Sequence, residues 1–500
     1  MPFPFTLTTT SSFSFSTCFE SASHPSLPLT ASTYRGVLRN NLKKHKRLPP
    51  QSQASNLTSI QLDTESYLPY LFALDAGLSN RPIAGDEVDI VLRTSPTPEW
   101  RPIITSSPIP GREPPRIKLN NLDHELFFTL SALGHTYTLL SRAALQPLHS
   151  SATSSPSPEA RTGAIQTATK HLLSSASIFT YLVSRSEELS ASAPCPDLST
   201  AAFQALSSLA LAEATLLFVL KDDPYPAAVA QERNKNDKEW MIKAPDIPKV
   251  RAHLFARLCL AASEHSSRAY SLLSHAGVGC GTGAGGRGKV DEGLLAYVED
   301  LRKVGRGKAC RFLGIDAELG GRTGEAIAWL RAGLSELGFA AKADEQSQKG
   351  LSLNKLKKDW KEKREDKKVE KGKDWGSDAG RFEEARVLEM LDAKWSKMND
   401  TINTQTIPAF HSLLATMPSG REMHTVKPYV PPSLDAATMR SLRAPPSLDK
   451  DFAQLGMAEG VDSSDEEDGE GGARKTVVGA FPGTREEYGD RKEAPSRGYY

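Results

Sequence analysis

The chain has 500 residues, and 61 Lys and Arg stand against 60 Asp and Glu, for a net charge of +1. Over the whole molecule this balance gives no field that favours nucleic acid or an anionic membrane, and the length allows one large core or more than one domain. The cysteines, Cys18, Cys195, Cys259, Cys280 and Cys310, are scattered without a C-x-x-C pair, which argues against a disulfide framework or structural zinc and suits a reducing cytosol.

The opening MPFPFTLTTTSSFSFSTCF has no basic residue before Arg35 and no continuous apolar run, so it is not read as a targeting signal. VDIVL (88–92) alternates, and EWRPII (99–104) follows a Pro-containing turn. Together they predict one small hairpin, with Pro102 holding its second strand at an edge. Helical spacing then takes over. Leu122, Leu126, Leu130, Leu133, Tyr137 and Leu140 form one stripe, and Phe203, Leu206, Leu209, Ala210, Leu216, Leu217 and Leu220 a second. Val250, Leu254, Leu258 and Ala261 form a third, Leu294, Val298, Leu301 and Val304 a fourth, and Ile327, Leu330, Leu334 and Leu337 a fifth. Each is the pattern of a helix that buries one face against a neighbour. The longest apolar run, LALAEATLLFVL (209–220), holds Glu213 and is short for a membrane span, so a soluble intracellular protein is expected.

Composition marks the connections. Segments 150–160 and 190–197 read as surface loops, and 223–248 as a longer polar link with prolines. Segment 277–288 is glycine-rich and is expected to be flexible. From residue 431 periodicity is lost, prolines appear and an acidic run follows at 462–470, so 431–500 is expected to be a disordered tail.

Chemical motifs are sparse. GAGGRGK (283–289) has phosphate-loop spacing, but Val290 stands where Ser or Thr would hold magnesium and no strand precedes it. It is read as a flexible insert, with nucleotide binding through Lys289 as the minor alternative. No H-E-x-x-H or G-x-S-x-G occurs, so no catalytic residue, cofactor or metal is assigned. Cys259 and Cys310, within helical patterns, are read as buried thiols, and His124 and His253 as helix-surface residues. The lysine-rich segment 355–375 interleaves acids at helical spacing and reads as a solvated, salt-bridged helix, with an acidic-lipid surface as the second reading. Ser463 and Ser464 precede acidic residues and read equally as phosphoacceptors or as part of a solubilising tail.

Several segments, in order, resemble the Bro-one domain family, the helical boomerang domain of Alix-like endosomal adaptors. These are EWRP (99–102) before DHELFFTLSALGHTYTLLSRA (123–143), ALSSLALAEATLLFVLK (205–221), KVRAHLFARLCLAASEH (249–265), GEAIAWLRAG (324–333) and NDTINTQTIP (399–408). The chain departs from the family where Glu213, Thr215 and Leu216 replace a Gln-Ala-Gln-Glu run, and where Ala326 and Trp329 replace Glu and Arg. The resemblance implies a mainly α fold, a solenoid of TPR-like helix pairs, over residues 1–430. In GEAIAWLRAG, the residues Ala326, Ala328 and Ala332 would let a neighbouring helix approach while Ile327 and Leu330 fill the space between.

The opening MPFPFTL (1–7), the loop and helix DDPYPAAVAQERNKNDKEWMIKAPDIPKVRAHLFARLCLAASEH (222–265) and ACRFLGIDAELGGRTGEAIAWLRAGLSELGF (309–339) are similar to the branch of the family that serves ambient-pH signalling in filamentous fungi. That resemblance implies a non-enzymatic cytoplasmic adaptor, recruited to endosomal or cortical membrane sites through partners. It would bind the ESCRT-III filament subunit and act upstream of proteolytic activation of the transcription factor PacC at alkaline pH. The alternative is a general endosomal sorting adaptor of the Alix type. In the family the ESCRT-III subunit lays a C-terminal amphipathic helix in an apolar groove. Carried over, that groove would comprise Phe218, Leu254, Leu258 and Leu391, with Leu254 and Leu258 sharing a helix face.

Overall fold

Two long helices precede the first one predicted. In a computed structural model that describes residues 2–107, 109, 111–149, 157–189, 192–226, 249–277, 288–339 and 375–444, α1 spans Ser26–Arg47 and α2 spans Pro50–Leu78. α1 buries Leu27, Ala31, Leu38 and Leu42 at helical spacing, with Arg35 among them. That arginine and Pro69 inside α2 break the apolar pattern, which is why neither helix is conspicuous in sequence. α1 ends on Lys44, His45, Lys46 and Arg47, charges that suit the negative pole of a helix. Pro50 starts α2 at a position where its missing N–H costs nothing.

The main helices that follow are α3 (Leu122–His149), α4 (Pro158–Glu187), α5 (Thr200–Asp222), α6 (Lys249–His275), α7 (Glu292–Leu319), α8 (Thr323–Glu336) and α9 (Arg381–Met398). From α1 to α9, each helix packs on the next in sequence. The result is the expected solenoid of consecutive helices. Ser157, Ser199 and Asp291 cap α4, α5 and α7 by accepting from backbone N–H groups one turn on. α5 is in fact long and apolar enough to cross a bilayer, contrary to the expectation that no run reaches that length. It packs instead between α4 and α6, which accounts for its apolar character on several faces.

The predicted hairpin does not form. β2 (Val91–Leu92) pairs antiparallel with β1 (Phe19–Glu20), and β3 (Glu99–Trp100) pairs with β4 (Ile117–Lys118). Alternation marked the first extended segment and the Pro-containing turn the second, but neither signal names a strand's partner. Pro96 and Pro98 between them supply no backbone donors for a ladder. Trp100, fully buried, is drawn under the helices to donate its indole N–H to Glu125 Oε2.

Two family-like segments turn out to be one piece of structure. Gly324 N–H donates to Gln405 Oε1 at 3.0 Å, and Asn403 Nδ2 donates to Thr323 Oγ1 at 2.8 Å. A Cβ on Gly324 would lie 2.3 Å from the Thr406 carbonyl oxygen, so the close approach of the 399–408 segment requires glycine there. Ala326, Ala328 and Ala332 are fully buried, as close packing of α8 on α7 and α9 demands.

The compact unit runs to Ala444, beyond the boundary expected at residue 430. Leu434, Met439 and Leu442 are buried, and Ala444 N–H donates to the Ser23 carbonyl. Cys18, Cys195, Cys259 and Cys310 are buried, and burial pushes the Cys259 thiol up to about 12. His124 is buried rather than on the helix surface, while His253 is exposed. Val290 bridges to Thr105 and α7 starts only at Glu292, so no helix begins directly after Lys289 as a phosphate loop requires. Residues 283–287 of that motif lie outside the described residues. So do most of 223–248, the 355–374 part of the lysine-rich segment, and the tail from 445 with Ser463 and Ser464.

One buried acid gives the fold a pH dependence. Glu213 on α5 is 3% exposed and accepts from Tyr297 Oη at 2.7 Å and Phe3 N–H at 3.0 Å. Burial pushes its carboxyl from 4.5 up to about 7. The folded pKa exceeds the unfolded one, so the stability this group contributes is complete below about pH 4.5 and is lost as pH rises through about 7. The loss is on the order of 3 kcal/mol. Glu213→Gln is expected to remove this decline, as measured by urea unfolding across that window; a variant that declines as steeply would assign the effect to other groups.

Candidate partner-binding surface

α5 and α6, packed on each other, carry three of the four candidate groove residues: Phe218 on α5, and Leu254 and Leu258 on α6. On α5 the half-buried positions Gln204, Ser207, Leu211 and Phe218 fall on one stripe, because α4 and α6 cover the other faces. On α6 the matching stripe is Leu254, Arg257, Ala261 and Glu264. Leu254 is half-buried, whereas Leu258 is 1% exposed. The expected shared face of Leu254 and Leu258 is therefore divided: Leu258 has turned into the core, and Leu254 stays at the surface.

Leu391 does not join this surface. It is buried on α9, a helix that packs on α7 and α8. Its apolar character is accounted for by that packing.

Segment 419–429 was not expected here. It has no helical period, yet it lies across α6, α5 and α4. Arg421 N–H donates to the Arg257 carbonyl at 3.0 Å, and Arg257 Nε donates to the Ser419 carbonyl at 3.1 Å. Gly420 sits so close to α6 that a Cβ would lie 2.7 Å from Ala261 N. Across α5, the His424 ring meets the Phe218 ring at 6.2 Å between centroids. On α4, Ser177 Oγ donates to the Lys427 carbonyl at 2.6 Å, and Tyr181 packs on Tyr429 at 5.4 Å. Met423, beside His424, stays 46% exposed. Leu211, Phe218 and Leu254, half-buried, and Met423, exposed, are among the apolar groups of this region that retain access to solvent. The one local clue to the segment was Gly420 among polar residues, which is too common a pattern to signal a close approach.

The electrostatics at this crossing are mild. Burial lowers the His424 imidazole below its ordinary range, although a contact with the Ala214 backbone opposes the shift. Burial also lowers His265, against the opposing charges of Glu422 and Glu264. Both rings are therefore largely neutral near pH 7 and add no positive charge to this crossing.

The segment between α5 and α6 starts from a fixed point. Asp223 accepts from Arg311 Nη1 at 3.1 Å and Nη2 at 2.5 Å, and Tyr225 lies under the same guanidinium at 5.4 Å. That anchor sits one turn beyond Phe218.

Comparison with known proteins gives three findings. The family model described as BRO1-like domain matches residues 99–448. The chain is 43% identical over 513 residues to the pH-response regulator protein palC of Emericella nidulans, covering 97% of this chain and 99% of that protein. Among solved structures, ALIX in complex with the SIVmac239 PYKEVTEDL late domain aligns with a TM-score of 0.51 at 13% identity, over 91% of this chain and 53% of that one. An ALIX BRO1 CHMP4C complex aligns with a TM-score of 0.48 at 12% identity, over 86% and 95%.

Proposed function

The chain belongs to the BRO1-like domain family, and from that premise we propose that it is a non-enzymatic adaptor of ambient-pH signalling that docks the C-terminal amphipathic helix of the ESCRT-III filament subunit. It would act upstream of PacC activation at alkaline pH, as a cytoplasmic protein brought to endosomal or cortical membranes by its partners. Similarity to a pH-response regulator along nearly the whole chain supports the pathway. The observation that supports the docking mode is that Phe218 on α5 and Leu254 on the adjacent α6 stay half-buried, and that Met423, next in sequence to the His424 that meets Phe218, stays exposed. An amphipathic helix offers apolar side chains at three- and four-residue spacing, which such a surface can accept. Leu258 would support the surface from below rather than touch the partner.

Titration of the full chain with a labelled peptide of that helix tests the proposal. Leu254→Asp is expected to weaken binding by about 2 kcal/mol, roughly thirtyfold in Kd, with an unchanged circular dichroism spectrum. Wild-type affinity in a folded Leu254→Asp variant, or no binding by the wild type, would move the docking site elsewhere.

A further inference from the structure

A cavity of about 440 Å³ lies away from that surface, between the end of α1, the first turns of α2, α3 and the extended segments at 4–9 and 101–103. The volume falls within the range of small-molecule sites, roughly 300–1,000 Å³. Its walls divide by chemistry. Leu7, Leu57, Ile103 and Leu139 give an apolar side, while His45, Lys46, Arg101 and Arg142 line the rest with Glu113. Glu113 Oε2 holds both Lys46 Nζ and Arg101 Nη1. Arg101 Nε and His45 Nδ1 are buried without a hydrogen-bond partner, an arrangement that calls for explanation.

The wall is net cationic, since Lys46, Arg101 and Arg142 stand against Glu113. Outside it, one turn from Lys46 on α1, burial and then the charges of Arg39, Arg116 and Arg47 push the Lys43 ammonium below its ordinary range.

We infer that this cavity binds a small amphipathic anion: one phosphate or carboxylate group on an apolar body. The acidic group takes the place of the Glu113 carboxylate between Lys46 and Arg101, and the apolar body lies against Leu57 and Leu139. Displacement of Glu113 is easy, because the side chains of Lys46 and Glu113 are 43% and 50% exposed and exposed ion pairs contribute little. The surrounding cations raise the local concentration of anions and speed their arrival. The apolar wall is what separates this ligand from inorganic phosphate.

The same chemistry could come from a soluble metabolite or from a membrane lipid, and the experiment separates them. The full chain is titrated by calorimetry with dodecyl phosphate below its micelle concentration, with inorganic phosphate, and with phosphatidylcholine vesicles doped with phosphatidic acid. Dodecyl phosphate is expected to bind and inorganic phosphate to bind far more weakly. Lys46→Ala should weaken dodecyl phosphate about tenfold, and Glu113→Gln should tighten it, since a competing carboxylate is removed. Ala54→Phe, at the cavity wall, should abolish it while the thermal transition stays in place. Vesicle binding that Ala54→Phe also abolishes would assign the lipid as the source; dodecyl phosphate binding with no vesicle binding would assign the soluble one. Failure of the wild type to bind dodecyl phosphate, equal binding by Ala54→Phe, or weaker binding by Glu113→Gln would overturn the inference.

Discussion

Glu125→Ala is expected to cost about 3–5 kcal/mol, a large part of the roughly 5–15 kcal/mol that holds a domain folded. Glu125 is fully buried and is the common acceptor of a buried cluster. Arg35 Nε donates to it at 2.7 Å and Tyr67 Oη at 3.2 Å, and the Trp100 indole N–H also donates to it. Arg35 is itself fully buried and is further held by the Ser11 carbonyl at 2.8 Å and by Thr10 Oγ1 at 2.5 Å. Burial would lower the guanidinium pKa, but Glu125 outweighs it and the group titrates above its ordinary range. Without Glu125 the charge remains, because arginine does not deprotonate, and two neutral donors lose their acceptor. The cluster joins α1, α2, α3 and β3, so the loss should appear as a lower urea midpoint for the whole unit. Arg35→Met combined with Glu125→Ala should recover part of the stability, since removing both charges is less costly than stranding one. A single variant within about 1 kcal/mol of wild type would show that the cluster is not worth what its geometry implies.

Arg311→Met should have a similar effect, about 3–5 kcal/mol, through a different set of elements. Arg311 on α7 is fully buried between Asp223, just past α5, and Glu384 on α9, whose Oε1 accepts from its Nε at 2.6 Å. Lys308 Nζ reaches Glu384 Oε2 at 2.6 Å. Burial would raise both carboxyls, yet Arg311 overrides it and holds Asp223 and Glu384 below the ordinary carboxylate range. The stability from this pairing is present above the unfolded carboxylate values of 3.8 and 4.5 and is lost as pH falls below them. Methionine keeps much of the volume and strands Asp223. Urea unfolding at pH 7 should show the loss, and hydrogen exchange should rise first in α9. Arg306→Met is the contrast: its partner Glu336 at 2.7 Å is partly solvated, and its loss should cost under about 1 kcal/mol. Equal costs for the two variants would remove the special role of the buried cluster.

Of the residues that the family resemblance assigns to a groove, Phe218 and Leu254 are partly open to solvent. Leu258 and Leu391 are inside, because α7 packs on both α6 and α9 and no local pattern records a neighbour that comes from far along the chain. Met423 escaped notice for the opposite reason: its segment has no period at all, and its place is set by hydrogen bonds to α6 and α4.

Sequence alone determined the helical class, the stripes of α3 and α5 to α8, and the segments that mark the family. Those features depend on contacts within one or two turns, and residue spacing encodes them directly. Only the tertiary structure decided that Glu125, Glu213 and Arg311 are interior charges and polar anchors, that β2 and β3 find other partners than each other, and that 419–429 crosses three helices. Burial belongs to the set of elements that meet around a residue, and here their contacts join positions tens to hundreds of residues apart, as between Arg35 and Glu125 or Ser177 and Lys427.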